Sequence, residues 1–262
     1  MEKVKVFLSD PQVLFREGIH FILSGEDDFE VTGETTSNED AFTHIEANPP
    51  NIAILSMQDP KADGPDITRR IKRNMPLVSV ILTMEKKEVD KIFAAIKSGA
   101  SDCLTKDTEP EHLLDVIRVV AQGSNPIMEE LLTPGLASMV LAEFEDLAAI
   151  NAQFDNLLAN LAPKETQILT SIAGGNNIEQ IAAKLEMNEE TIRRNLKFVL
   201  NKLVSNEQAR AVIEATQRSL PSIIGGQVKK GGKLAEYVTK AEFNEFKDHL
   251  MERLKSFIGE LT

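Results

Sequence analysis

Tryptophan is absent from this chain of 262 residues, tyrosine occurs once (Tyr237) and cysteine once (Cys103). A lone cysteine excludes an intramolecular disulfide and fits a reducing compartment. With no tryptophan and one tyrosine, the chain lacks the aromatic platforms on which single-stranded nucleic acid stacks. The four histidines, His20, His44, His112 and His249, show no metal-ligand spacing with one another or with Cys103. Neither a phosphate-cradling P-loop nor a dinucleotide fingerprint occurs. The expectation is a protein with no cofactor, no metal and no enzymatic chemistry. No apolar run approaches the ~18 residues that a spanning helix needs, and the start, Met1-Glu2-Lys3-Val4, has no apolar secretory core. This predicts a cytoplasmic protein without membrane contact. Basic charge is also scarce: 29 Lys and Arg face 41 Asp and Glu, a net charge of −12. That balance argues against nucleic-acid binding by the whole surface but leaves room for a local basic patch.

What is present is ordinary globular material, 42% hydrophobic, in a length that suits two domains. Across 1–122 short apolar runs alternate with helical patterns. Val4–Leu8, Glu30–Gly33, Ile52–Leu55, Val78–Leu82 and Cys103–Leu104 predict five strands, and stretches near 12–23, 38–47, 65–74, 87–98 and 109–121 predict helices. Such alternation implies a parallel sheet covered on both faces, an α/β flavodoxin-like (βα)5 domain. Its crevice lies at the carboxyl ends of the strands, where Ser9, Asp10, Ser56, Thr83 and Lys106 should collect. Breakers from Gly123 to Gly135 mark a linker, and 123–160 as a whole reads as a linker containing a long helix over 136–161. A second, all-α block occupies 161–220. The remainder, 221–262, reads as a flexible linker with two Gly-Gly pairs followed by an amphipathic helix.

Ser56 is the most consequential position in the first domain. The run Ile52-Ala53-Ile54-Leu55-Ser56-Met57-Gln58-Asp59-Pro60, followed by Asp63-Gly64, resembles the phospho-site strand of bacterial response-regulator receiver domains. That resemblance implies an acceptor aspartate at position 56 and an acidic pair after the first strand, which together hold Mg²⁺, with a Thr/Ser and a Lys on the phosphoryl group. Asp10, Thr83 and Lys106 match this pattern; Ser9 and Ser56 depart from it, and Cys103 replaces the aromatic that the family uses to report phosphorylation. A hard cation needs carboxylate oxygens, and a serine hydroxyl cannot form an acyl phosphate. The expectation is an atypical receiver that is not phosphorylated by a histidine kinase. Phosphorylation of Ser56 by a serine kinase has no supporting feature, and Asp59 reads as a surface-turn residue. The pocket is either a structural relic, with Lys106 paired to Asp10, or a small-molecule site. Cys103, in a buried strand, reads as an inert small hydrophobe or else as a redox sensor.

In the second block, Leu161-Ala162-Pro163-Lys164-Glu165-Thr166-Gln167-Ile168-Leu169, Ile181-Ala182-Ala183-Lys184-Leu185 and Met187 through Leu203 resemble a LuxR-type helix-turn-helix domain. Together with the receiver this resemblance implies the NarL subfamily of response regulators. Asn188 suits a helix N-cap, and Ile192, Leu196, Val199 and Leu203 form a core-facing stripe. Arg193, Arg194 and Lys197 match the family's base-reading positions, and Lys164, Thr191 and Lys202 are cast as phosphate contacts. The bland alternative is a solvated helix face. Glu189 and Glu190 start the same helix, and Asn195 replaces the family's usual His. Between 161 and 205, six Lys or Arg stand against five Glu, so binding should depend on pairing two copies.

Two helices could serve that pairing. Val140, Phe144, Leu147, Asn151, Phe154 and Leu158 follow a 3.5-residue repeat, with Asn151 in a register-setting position, and are expected to form a dimer seam. The alternative is a helix packed on its own domain. Phe243, Phe246, Leu250, Leu254, Phe257 and Leu261 form a straight-helix stripe that could cover a domain surface, pair with its twin or grip another protein. The resulting expectation is a dimeric, double-stranded-DNA-binding transcription regulator of the two-component type, controlled without aspartyl phosphate. The alternative is an interaction adaptor that keeps the fold without sequence-specific DNA binding.

Overall fold

Runs of β-branched and aliphatic residues become strands here because both of their faces are covered by helices. The computed structural model describes residues 3–151 and 158–223. Strands β1 (Val4–Ser9), β2 (Phe29–Thr35), β3 (Ile52–Ser56), β4 (Ser79–Met84) and β5 (Asp102–Thr105) form one parallel sheet in the order β2-β1-β3-β4-β5. Helices α1 (Val13–Ser24), α2 (Asn38–Ala47), α3 (Gly64–Asn74), α4 (Val89–Ser98) and α5 (Pro110–Ala121) alternate with them. The flavodoxin-like reading therefore holds. Every residue of β3 is buried, as an unalternating apolar run in a sheet centre requires. The winding reverses between β1 and β3, which opens the crevice at the strand ends predicted from sequence.

One core cluster lies under α1 and α5, around Leu8, Ile19, Ile54 and Ile117. The other, on the opposite face of the sheet, runs from Leu55, Ile67, Leu82 and Ile96 into the helical half, through Val140, Ile168, Ile192 and Leu196. The two halves thus share buried apolar surface. Gly64 opens α3 directly behind the β3 end: a Cβ there would stand 2.5 Å from the Ser56 carbonyl oxygen and 2.9 Å from Met57 Cα. Glycine is what lets the loop after Ser56 fold back so tightly.

Three expectations change between the domains. Residues 126–132 form a tight 3₁₀ turn in which Ile127 and Leu131 are fully buried, so part of the expected linker belongs to the core. Its start is tied to the sheet by the Ile127 N–H donating to the Ser101 carbonyl at 3.1 Å. The long helix α6 is described over Pro134–Asn151, and by Leu158 the chain is no longer helical. Asn206 fixes that stretch, bonding the Ala159 N–H at 2.8 Å and the Ala159 carbonyl at 2.9 Å. The third change concerns the proposed dimer seam. Val140, Phe144 and Leu147 are buried within the chain itself, because α6 packs on α4 and on α7 (Pro163–Ala173). An apolar stripe tethered beside its own domain's exposed core meets that surface before any second copy. Leu158 is buried off the helix, whereas Phe154 and the Asn151 side chain lie outside the described residues.

The helix-turn-helix follows from its caps. Asn177 and Gln180 bond reciprocally at 2.9 and 3.0 Å to start α8 (Ile178–Leu185). Asn188 accepts the Thr191 N–H at 2.8 Å to start α9 (Glu189–Ile223). The helix runs past Pro221, where the sequence suggested a boundary; the stripe from Phe243 to Leu261 lies outside the described residues.

Asp102, at the start of β5, is buried beside the Cys103 N–H, which it accepts at 2.8 Å. Burial pushes its carboxyl up to about 6, against the opposing pull of that hydrogen bond and of Lys87. A carboxyl whose pKa is higher in the fold binds its proton more tightly there. It contributes stability fully below its unfolded value of 3.8 and loses it as pH rises through 6. Asp102→Asn keeps the acceptor and removes the charge. Its advantage over wild type should be small at pH 4 and grow to as much as about 3 kcal/mol at pH 7.5, read from urea unfolding at both pH values.

Candidate functional site

The strand ends bring Ser9, Asp10, Ser56, Thr83 and Lys106 together around the crevice. All but Lys106 are at most 3% exposed. Ser56, Thr83 and Lys106 line a cleft of about 280 Å³ with Pro11, Gln12, Gln58, Met84 and Glu85. Lys106 Nζ lies 3.0 Å from Asp10 Oδ1 and 2.9 Å from Oδ2, bridging both oxygens. It also reaches Glu85 at 3.5 Å and sits 5.0 Å from the centre of the Phe15 ring. Asp10 further accepts the Gln12 N–H at 2.8 Å and the Thr83 hydroxyl at 3.4 Å. The one carboxylate at the pocket's base is therefore fully engaged.

The two serine hydroxyls are bonded to neighbouring groups of the chain. Ser56 Oγ donates to the Gln58 carbonyl at 3.1 Å, and Ser9 Oγ donates to Asn38 Oδ1 at 3.0 Å. Asn38 is a pocket residue that sequence reasoning missed. From the first turn of α2 its buried amide donates to the Ser56 carbonyl at 2.8 Å and the Ala62 carbonyl at 3.0 Å. Its backbone N–H bonds Asp59 Oδ2 at 2.9 Å. Asp59, expected to serve a surface turn, does that for Lys61 N and Ala62 N and also anchors α2.

A magnesium ion of the kind the receiver resemblance implies keeps several waters and is held by one or two carboxylates that are free to coordinate it. Asp10 is the sole acid at the base of the pocket and is already bridged by Lys106, while Glu85 bonds Gln12 Nε2 at 2.7 Å. The donor set does not fit the ion. Among the described residues, no group of three or more His, Cys, Asp or Glu could hold a metal. Cys103 is buried, and burial together with the neighbouring Asp102 and Glu130 charges pushes its thiol up to about 12. A thiol held protonated and away from solvent is a packing group.

The second candidate surface is α9. Ile192, Leu196, Val199 and Leu203 are buried as their spacing predicts, and Arg194 and Lys197 stand exposed on other faces. Arg193 does not join them: its guanidinium pairs with Glu129 of the 126–132 turn. Lys202, cast from sequence as a phosphate contact, bonds both oxygens of the buried Glu165 at 2.9 and 2.6 Å. Glu165 in turn accepts the Ala162 N–H at 2.6 Å at the start of α7, so Lys202 helps hold the domain together. Lys164 is exposed, and Thr191 is half-buried with its carbonyl accepting Asn195 Nδ2 at 2.7 Å. Further along α9, Glu207 pairs with Lys97 of α4 at 3.0 Å and Arg69 of α3 at 3.3 Å. Lys97 also reaches Glu143 of α6 at 2.7 Å. These ion pairs clamp α9 to the first domain.

Comparison with known proteins agrees with both halves. Residues 6–118 match the response regulator receiver domain, and residues 159–215 match the bacterial regulatory proteins of the luxR family. The chain is similar to the uncharacterized transcriptional regulatory protein YxjL of Bacillus subtilis (strain 168), 26% identical over 219 residues, covering 84% of this chain and 98% of the relative. It is also similar to the nitrate/nitrite response regulator protein NarL of Escherichia coli (strain K12), 26% identical with the same coverage. The nitrate/nitrite response regulator homolog of Haemophilus influenzae is 28% identical over 212 residues, covering 81% of this chain and 96% of the relative.

The pocket geometry makes a stability claim. Asp10→Ala strands the Lys106 ammonium in a largely buried site and removes one of the two acceptors of the Thr83 hydroxyl, leaving the Leu55 carbonyl. The loss should be on the order of 3 kcal/mol in urea unfolding, as for other broken buried pairs. An unchanged midpoint would mean that the pair contributes nothing.

Proposed function

Because this chain is a DNA-binding two-component response regulator of the luxR family, we propose that it controls transcription without an aspartyl phosphate. The observation that carries this reading is the Lys106–Asp10 pair, which neutralises inside the fold the charges a phosphoryl group and its metal would need. Ser56 stands at the acceptor position, 2% exposed and bonded to the Gln58 carbonyl, so a serine kinase has no access to it either.

DNA is approached through α9. Arg194 and Lys197 read base edges in the major groove, and Lys164 and Thr191 touch phosphates. Arg193 joins the reading set once it releases Glu129. Lys202 acts indirectly, by holding Glu165 and the start of α7. With six basic against five acidic residues over 161–205, one domain binds weakly, and a homodimer on half-sites about 10 bp apart supplies the remaining affinity. The seam on α6 is covered in the chain, so the pairing surface is another one. Control comes from protein contacts or a ligand that loosens the clamp from α9 to Lys97, Arg69 and Glu129.

Two experiments test this reading. Incubation with acetyl phosphate and Mg²⁺ should leave the intact mass unchanged; an acid-labile gain of one phosphate would overturn the inactive-receiver reading. Selection of genomic fragments should enrich a repeated motif with wild type and lose it with Arg194→Ala/Lys197→Ala, each lost base contact weakening binding by roughly 1–3 kcal/mol. Equal selection by the double variant would reject the base-reading assignment. No selected motif with wild type would favour the adaptor function.

A further inference from the structure

We infer that Phe198 is a specificity residue that reads the C5-methyl group of a thymine in the major groove, an inference that rests on the DNA-binding reading of α9. Phe198 is 50% exposed, and the other exposed large hydrophobic residues among those described all lie in the first domain, from Val13 to Val119. Among the described residues of the helical half, Phe198 is the one large hydrophobic side chain that is exposed, and it stands on the face of α9 turned away from the core.

Its position on the helix says what it meets. At 3.6 residues per turn, the side of α9 opposite the buried stripe of Ile192, Leu196, Val199 and Leu203 carries Arg194, Phe198, Asn201 and Ser205, all exposed. Phe198 stands in the middle of this ridge, one turn from Arg194, with Lys197 beside it. Arg193 is drawn off toward Glu129. The face that enters a groove therefore presents a phenyl ring at its centre. A phenyl ring has neither donor nor acceptor for phosphate oxygens or for the polar base edges. The one apolar group that base pairs display in the major groove is the thymine methyl. Arg194 and Phe198 are separated by about 6 Å along the helix axis, a distance of about two base steps at 3.4 Å each. The thymine should thus lie within about two base pairs of the base that Arg194 contacts.

The test uses the full chain and a site obtained by selecting random duplexes with wild type. Each thymine of that site is then replaced in turn by deoxyuridine, which lacks only the methyl group. One position per half-site should weaken wild type about fourfold, the effect of exposing one buried methyl. Phe198→Ala should bind the thymine duplex about fourfold more weakly and no longer distinguish thymine from uracil at that position. Phe198→Leu, which keeps an apolar surface, should retain part of the preference. Circular dichroism and urea unfolding establish that both variants are folded. If wild type tolerates uracil at every position, or if Phe198→Ala keeps the full preference, Phe198 does not read a methyl and the DNA-binding reading stands. If wild type selects no sequence, both readings fall together.

Discussion

Lys106, bridging both oxygens of Asp10 at about 3 Å, is the contact on which the first domain's character depends. It ties the carboxyl end of β5 to that of β1 across the crevice where the sheet's winding reverses. Two opposite charges taken partly out of water are stable there only because their remaining valences are met. Asp10 also accepts Thr83 and Gln12, and Lys106 also reaches Glu85 and the Phe15 ring. The two charges at the base of the pocket thereby find their partners within the chain. Asn38 completes the pocket mechanically, joining Ser9, the Ser56 carbonyl and the Ala62 carbonyl through one buried amide.

The first domain is also packed against the helical half. The core cluster on the α3–α4 side of the sheet runs on into the helix-turn-helix half, so the two share buried apolar surface. Around that contact lie Lys97, Glu143, Glu207, Arg69 and the pair of Arg193 with Glu129. Isolated surface ion pairs contribute little; Lys97, Glu143 and Glu207 are each less than one-fifth exposed and form a connected network, which holds better. The same helix carries the clamp and the exposed ridge of Arg194 and Phe198. Any force on the clamp is a force on α9.

Much of this was legible in the residues. The apolar run into Ser56, the Asn188 cap and the stripe at 192, 196, 199 and 203 are local patterns, and local patterns survive folding. Lys106 pairing with Asp10 was legible as an option because both sit at strand ends whose order the alternation dictates. Other features depend on contacts between distant segments. Nothing in the sequence near Asn38 points to Ser56, and Glu129 is 64 positions from the arginine it holds. Val140, Phe144 and Leu147 illustrate a different limit: a 3.5-residue stripe states that a helix has an apolar seam, not which surface covers it. Ile127 and Leu131 were hidden by neighbouring glycines and prolines that read as a linker although the turn is packed.

The most direct test of the account is fluorine NMR of the full chain titrated with beryllofluoride and Mg²⁺. A pocket whose two charges are paired within the chain, with a hydroxyl at position 56, predicts only the free fluoride and free beryllofluoride signals at every concentration. A saturable bound resonance that requires Mg²⁺, and disappears in Asp10→Asn, would show that the crevice still assembles a phosphoryl site and would contradict the account.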